Sequence, residues 1–178
     1  MIYLFLANGF EEVEALCPLD LIRRAGLEIK TVGVGQKAIT GAHGITVETD
    51  MTDNELCDEA PTAVILPGGM PGTTNLDASA VVHKALDDAN RTGALVAAIC
   101  AAPSILGKRG DLQGKEAICF PGFEQFLEGA TVSANKVVQD GRHITAAGMG
   151  VALDFGLAIV SYFCGEEKAA ALKAAVLA

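Results

Sequence analysis

Three short runs of the chain are apolar at nearly every position: residues 2–7, 62–66 and 94–99. A strand with one wet face alternates polar and apolar side chains, whereas a strand that is apolar throughout must be covered on both faces. Between and after these runs lie segments that read as helices. Glu11 and Glu12 open one that stops at Gly26, residues 79–91 form another stopped by Gly93, and residues 151–163 and 166–177 form two more. Residues 27–33, 115–119 and 143–147 read as further strands. Residues 38–50, with Gly41 and Gly44 between short alternating runs, read as a small hairpin or irregular pair. Strands alternating with helices predict an α/β fold with a mostly parallel central sheet between helical layers. No internal repeat, linker or low-complexity stretch divides the 178 residues, so one domain over 1–178 is expected.

Composition narrows the function. Thirteen basic against twenty-two acidic residues leave a formal net charge of −9, which argues against nucleic-acid or anionic-membrane partners. The apolar stretches around 94–106 and 148–164 fall short of a membrane span, being interrupted by Pro103 and Asp154. The five cysteines, at 17, 57, 100, 119 and 164, have no C-x-x-C spacing, and free thiols in a reducing cytoplasm are the simpler expectation. His43, His83 and His143 are isolated, so no zinc site is expected. The opening residues enter a strand at once, with no basic region or cleavage site of a signal peptide.

In an open parallel sheet, ligands bind beyond the carboxyl ends of the strands. Three features of this sequence fall on that edge: residues 9–14 after the first strand, Pro67-Gly68-Gly69 after the third, and Cys100 after the run 94–99. Cys100 precedes Ala101-Ala102-Pro103, which reads as the opening of a helix. Strand, nucleophile-type residue and helix in sharp succession are the layout of a nucleophile elbow. Helix N–H groups beside the sulfur would favour the thiolate. The competing account is one of the many buried, inert cysteines. Glu14 has Cys17, Pro18 and Leu21 at helical spacing, an apolar stripe on which a carboxyl tends to hold its proton. It is either an acid–base group beside the thiol or a side chain that reaches solvent. Gly68-Gly69 can turn backbone N–H groups onto an anion, or can be a plain turn. His43 is either an incidental loop histidine or a proton donor.

Taken together, Gly9-Phe10-Glu11-Glu12-Val13-Glu14, Arg23-Arg24-Ala25-Gly26, Val64-Ile65-Leu66-Pro67-Gly68-Gly69, Ala97-Ala98-Ile99-Cys100-Ala101-Ala102-Pro103 and residues 154–160 resemble the ThiJ/PfpI superfamily, in its deglycase branch. The resemblance runs nearly the whole length of the chain. It implies a flavodoxin-like three-layer sandwich that forms homodimers through the first helix and residues 38–50. Cys100 matches the family's oxidation-prone cysteine and Glu14 the carboxyl that contacts it. Gly68 and Gly69 match the backbone lining the site, with the N–H of Ala101 beside the nucleophile as a further donor. Two positions depart from familiar patterns. The peptidase-like branch carries His where Ala101 stands, and some deglycase-branch members carry His near Phe120.

Without that imidazole, amide hydrolysis is the least expected chemistry. What the resemblance implies is a cytoplasmic, cysteine-dependent enzyme needing no cofactor or metal. Its substrate would be a small α-oxoaldehyde such as methylglyoxal, or an early glycation adduct. The alternative is a stress sensor or chaperone-like protein that works by oxidation of Cys100. His43, brought across a dimer, is a candidate substitute for the missing imidazole.

Overall fold

In the computed structural model, which describes residues 1–57 and 59–178, the apolar runs become the middle of a seven-stranded sheet. The chain begins with β1 (Ile2–Leu6), α1 (Glu12–Arg24) and β2 (Ile29–Gly33). A hairpin of β3 (Ala38–Thr40) and β4 (Thr46–Glu48) follows, then β5 (Met51–Thr52). Next come β6 (Ala63–Leu66), the short α2 (Gly72–Asp77), α3 (Ala80–Thr92), β7 (Leu95–Ile99) and α4 (Pro103–Lys108). The last third holds β8 (Glu116–Ala117), β9 (Thr131–Val132), β10 (Val137–Asp140), β11 (His143–Ala146), α5 (Ala152–Cys164) and α6 (Glu166–Ala175). The sheet runs β10-β11-β7-β6-β1-β2-β5. Every pairing within it is parallel except that of β10 with β11.

Side chains alternate across a strand, so each apolar run feeds two cores at once. Ile2, Leu4, Leu6, Ile65, Ala97 and Ile99 point to one face and pack against Ala15, Leu19 and Ile22 of α1 and Phe155 and Ile159 of α5. Tyr3, Phe5, Val64, Leu66, Val96 and Ala98 point to the other face, where Val82 and Leu86 of α3 and Ile105 and Leu106 of α4 cover them. Because neither face meets water, continuous hydrophobicity is the signature this sheet requires. On the first face α1 and α5 approach closely at Gly156, where an added Cβ would stand 2.7 Å from Leu21 and 2.9 Å from Pro18.

Several elements differ from expectation. The 38–50 hairpin forms as a separate pair, while β5 beyond it joins the main sheet beside β2. Of residues 115–119 only β8 is strand, paired with β9 outside the main sheet. β10 was not expected at all. Asp140 pairs with His143 across a turn in which Gly141 takes φ 59, so Asp-Gly, a strong hairpin signal, marks this turn in the sequence. No helix of the described residues is long and apolar enough to cross a membrane.

The order of strands reverses beside β1, with β2 on one side and β6 on the other. That reversal opens a crevice at the carboxyl ends of β1, β6 and β7. Residues 9–14, 67–69 and 100 all lie there.

Candidate functional site

The cysteine at the end of β7 sits in a backbone conformation that a side chain rarely adopts. Cys100 has φ 65, and its N–H still bonds the Ala146 carbonyl of the neighbouring strand at 2.9 Å. The chain therefore leaves the sheet abruptly, carrying the thiol above its edge. Helix α4 begins only at Pro103, so the donor beside the sulfur is the N–H of Ala101 in the turn rather than a full helical terminus. The expectation of helix N–H groups at the thiol is corrected to that single turn amide, joined by the N–H of Gly69 from across the crevice.

Glu14 is placed by the start of α1. Glu11 caps the helix, its Oε2 accepting from the Glu14 N–H at 2.7 Å. The first turn then aims the Glu14 side chain into the crevice, where it is 1% exposed. Its Oε2 accepts from the Gly68 N–H at 2.9 Å. Its other oxygen, Oε1, meets no hydrogen-bond partner; the Met149 N–H and the Cys100 thiol lie near the carboxyl group as a whole. A Cβ on Gly68 would lie 2.6 Å from both Cys100 Cβ and Glu14 Oε2, so only glycine lets loop, thiol and carboxyl meet there. Gly69 takes φ +88 and leans on the backbone of Glu11 and Gly9, where any side chain would collide.

This geometry revises the role expected of Gly68. Its N–H is committed to Glu14 and is a positioning group, not part of an oxyanion pocket. The donors turned toward the sulfur are those of Gly69 and Ala101. Both are free of other acceptors among the described backbone hydrogen bonds.

Burial pushes the Glu14 carboxyl up to about 7, against the downward pull of the Cys100 and Gly68 hydrogen bonds. Burial also pushes the Cys100 thiol up, to about 12, and the Glu14 charge and hydrogen bond add to the rise. The amides of Ala101 and Gly69 pull the other way and are outweighed. The expectation of a low thiol pKa thus fails while Glu14 is ionised, because the thiolate would be a second buried negative charge beside the first. When Glu14 holds a proton that repulsion vanishes, and its O–H can donate to sulfur. The two groups titrate as a coupled pair, the carboxyl losing its proton first, at about 7, while the thiol keeps its own.

All five cysteines are free. Cys57 is the competing thiol. It is exposed, and a hydrogen bond from the Tyr3 hydroxyl, 3.7 Å away, pulls it below the usual cysteine range.

His43 does not approach Cys100 within the chain. Its Nδ1 lies 2.8 Å from Glu12 Oε2 and its backbone N–H donates to Glu12 Oε1 at 2.7 Å; Glu12 holds the imidazole above its ordinary pKa. Ligand atoms of Glu11, Glu12 and His43 lie within 4.8 Å of one another, but the carboxylates are occupied by the helix cap and by His43 itself. Phe120 does reach the site. Its N–H donates to the Cys100 carbonyl at 2.8 Å, and its half-exposed ring stands over Gly148. Gly148 and Met149, which sequence reading left out, complete the wall beside Glu14. A loop between β11 and α5 carries no periodicity or motif to announce them.

Known proteins resemble this chain in sequence and in fold. The Parkinson disease protein 7 homolog of Danio rerio is 33% identical over 177 residues, covering 97% of this chain and 94% of that protein. Protein DJ-1 homolog B of Arabidopsis thaliana is 34% identical over 167 residues, but there the chain spans only 38% of a longer protein. The crystal structure of Drosophila melanogaster DJ-1beta superposes with a TM-score of 0.93 at 31% identity, covering 99% of this chain and 96% of that one. A model of the DJ-1/PfpI family matches residues 1–162, and the chain belongs to that family.

Proposed function

We propose that this protein is a cysteine-dependent enzyme that converts α-oxoaldehydes such as methylglyoxal, or their early adducts, to hydroxyacids without a cofactor. The observation that carries the reading is the buried Glu14, held by the Gly68 N–H and placed within reach of the Cys100 thiol. A relative 29% identical over 160 residues, from Caenorhabditis elegans, is named glutathione-independent glyoxalase DJR-1.2.

The thiolate attacks the aldehyde carbon, and the Glu14 proton passes to the oxygen, giving a hemithioacetal. The N–H groups of Gly69 and Ala101 face the developing negative charge. Glu14, now ionised, takes the proton from the former aldehyde carbon and returns it to the adjacent carbon, while the hydroxyl proton of the hemithioacetal moves to the oxygen of that carbon. The product is a thioester of the hydroxyacid. Water cleaves it, releasing the acid and restoring the thiol. The sum is α-oxoaldehyde plus water to hydroxyacid, with no net oxidation.

Self-association through α1 and residues 38–50 belongs to the same proposal. Val13 and Ile45, both apolar and exposed, lie on those two segments. Sedimentation should give twice the 18.3 kDa chain mass. A cytoplasmic setting suits five unpaired thiols.

The deciding experiment is methylglyoxal turnover by the wild type and Cys100→Ser with residual thiol reagents removed. Hydroxyacid formation by the wild type alone is expected; equal rates would overturn the reading. The second reading is redox sensing. It is favoured by a relative solved in oxidised form, Toxoplasma gondii DJ-1, which superposes with a TM-score of 0.95 at 28% identity. Peroxide-treated protein carrying a sulfinate on Cys100, with no aldehyde turnover, would select it.

A further inference from the structure

An open recess of about 380 Å³ lies on the β11 side, bounded by residues that neighbour the Cys100–Glu14 pair. Phe120, Pro121, Met149 and Val151 line it, with Gly148 between them. Three of these residues touch the dyad: Phe120 bonds the Cys100 carbonyl, a Cβ on Gly148 would lie 3.9 Å from Glu14 Oε1, and the Met149 N–H faces the same carboxyl. Neither Cys100 nor Glu14 lines the recess itself, which borders the dyad through Phe120, Gly148 and Met149.

One ionisable side chain lines it, Lys136. Lys136 is exposed and takes part in no ion pair among the described residues. By contrast, Lys115 lies against Asp140 and Lys173 against Asp154. Lys136 is fixed by its backbone, whose carbonyl accepts from the Ala147 N–H at 2.8 Å. Ala147 follows Ala146, the residue that Cys100 bonds. Lys136 and Cys100 thus stand two strand spacings apart, about 10 Å, with a flexible ammonium able to close part of that gap. In a chain of net charge −9, a lone cation beside an otherwise apolar recess is a local exception.

We infer that Lys136 determines specificity by drawing the anionic tail of the substrate into this recess. The inference rests on the aldehyde reading above and names its substrate class: an α-oxoaldehyde whose far end bears a carboxylate. A single ammonium, with no second basic group in the lining, matches one negative charge. The apolar walls of Phe120 and Met149 accommodate the carbon chain between the reacting carbonyl and that charge.

The test compares the wild type with Lys136→Gln and Lys136→Arg in two measurements. The first is alkylation of Cys100 by iodoacetate and by iodoacetamide at low salt, read by mass mapping of the Cys100 peptide. The ratio of the anionic to the neutral reagent should fall roughly threefold in Lys136→Gln, the size expected for one charge acting over such a distance. Lys136→Arg should keep the ratio, and added salt should erase the difference. The second is KM for methylglyoxal and for a carboxylate-bearing α-oxoaldehyde. Lys136→Gln should raise only the latter, several-fold, with kcat unchanged. An unchanged alkylation ratio, or an equal rise in both KM values, overturns the inference. Absence of all turnover in the wild type with a shifted alkylation ratio would instead overturn the enzymatic reading and leave an anion subsite beside the thiol.

Discussion

Glu14 and His143 are both buried ionisable side chains, and they sit at opposite ends of the same parallel sheet. Glu14 is 1% exposed at the carboxyl edge and His143 2% exposed at the amino end of β11. Burial drives each toward its neutral form, Glu14 up to about 7 and His143 down to about 4. Their surroundings then diverge. Glu14 has a backbone donor on one oxygen, a thiol within reach of the carboxyl, two further amides aimed at that thiol, and an open recess alongside. Neither ring nitrogen of His143 has a hydrogen-bond partner, and its neighbours in charge, Arg142, Lys115, Asp111 and Asp140, act on it only at a distance. A displaced pKa therefore does not by itself mark a reactive site. What distinguishes one is the convergence of groups from separate strand ends on a place a substrate can enter.

The comparison can be broken most decisively at the thiol. Cys100→Ser should lower aldehyde turnover about a thousandfold or more, since a buried hydroxyl is a far weaker nucleophile; a loss under tenfold would place the chemistry elsewhere. Glu14→Gln should keep the Gly68 contact and the shape of the protonated acid but lower turnover about a hundredfold.

Glu14→Gln should also stabilise the fold above neutral pH. The folded pKa of Glu14 lies above its ordinary 4.5, so its protonated form favours folding. That stability is complete below pH 4.5 and is lost as pH rises through about 7. The loss is up to about 3 kcal/mol. Urea unfolding at pH 8 should show the variant as the more stable protein, and a less stable variant would mean the carboxylate is better solvated than its burial implies.

His143 should show the opposite slope and no effect on turnover. Its folded pKa lies below the ordinary 6.5, so the unfolded chain binds the extra proton between pH 6.5 and about 4. Stability should fall by about 3 kcal/mol as pH drops through that window. His143→Leu should flatten this acid limb while leaving kcat unchanged. The smallest effect is expected at His43. Its ring is engaged by Glu12, so His43→Ala should leave the pH profile of Cys100 alkylation superimposable on the wild type. A displaced profile, together with self-association in sedimentation, would show that the imidazole reaches a partner's thiol.

The parallel sheet was legible because burial on both faces writes itself into consecutive residues, as in 2–7 and 94–99. The places of Cys100 and Glu14 were legible for a related reason, since strand ends and helix starts are marked by composition, whereas their pairing was read from the family resemblance. Gly68 was found but given the wrong task, because whether an amide faces an anion or a neighbouring carboxyl depends on a distance no spacing encodes. β10 went unread although Asp140-Gly141 announces its turn; Val137-Val138-Gln139-Asp140 is too short and mixed to declare a strand without its partner. Gly148 and Met149 reach the site, and Lys136 the recess beside it, only through the pairing of β10, β11 and β7, a tertiary fact.

The positive φ of Cys100 bears on how variants of this protein would fare in a screen. A side chain in the left-handed region costs on the order of 1 kcal/mol that glycine would not incur. Selection for heat resistance alone should therefore reward Cys100→Gly, a protein that melts higher and has lost its thiol. Persistence of cysteine at that turn, in a population evolved under both heat and aldehyde stress, would measure how strongly the organism needs the sulfur rather than the scaffold.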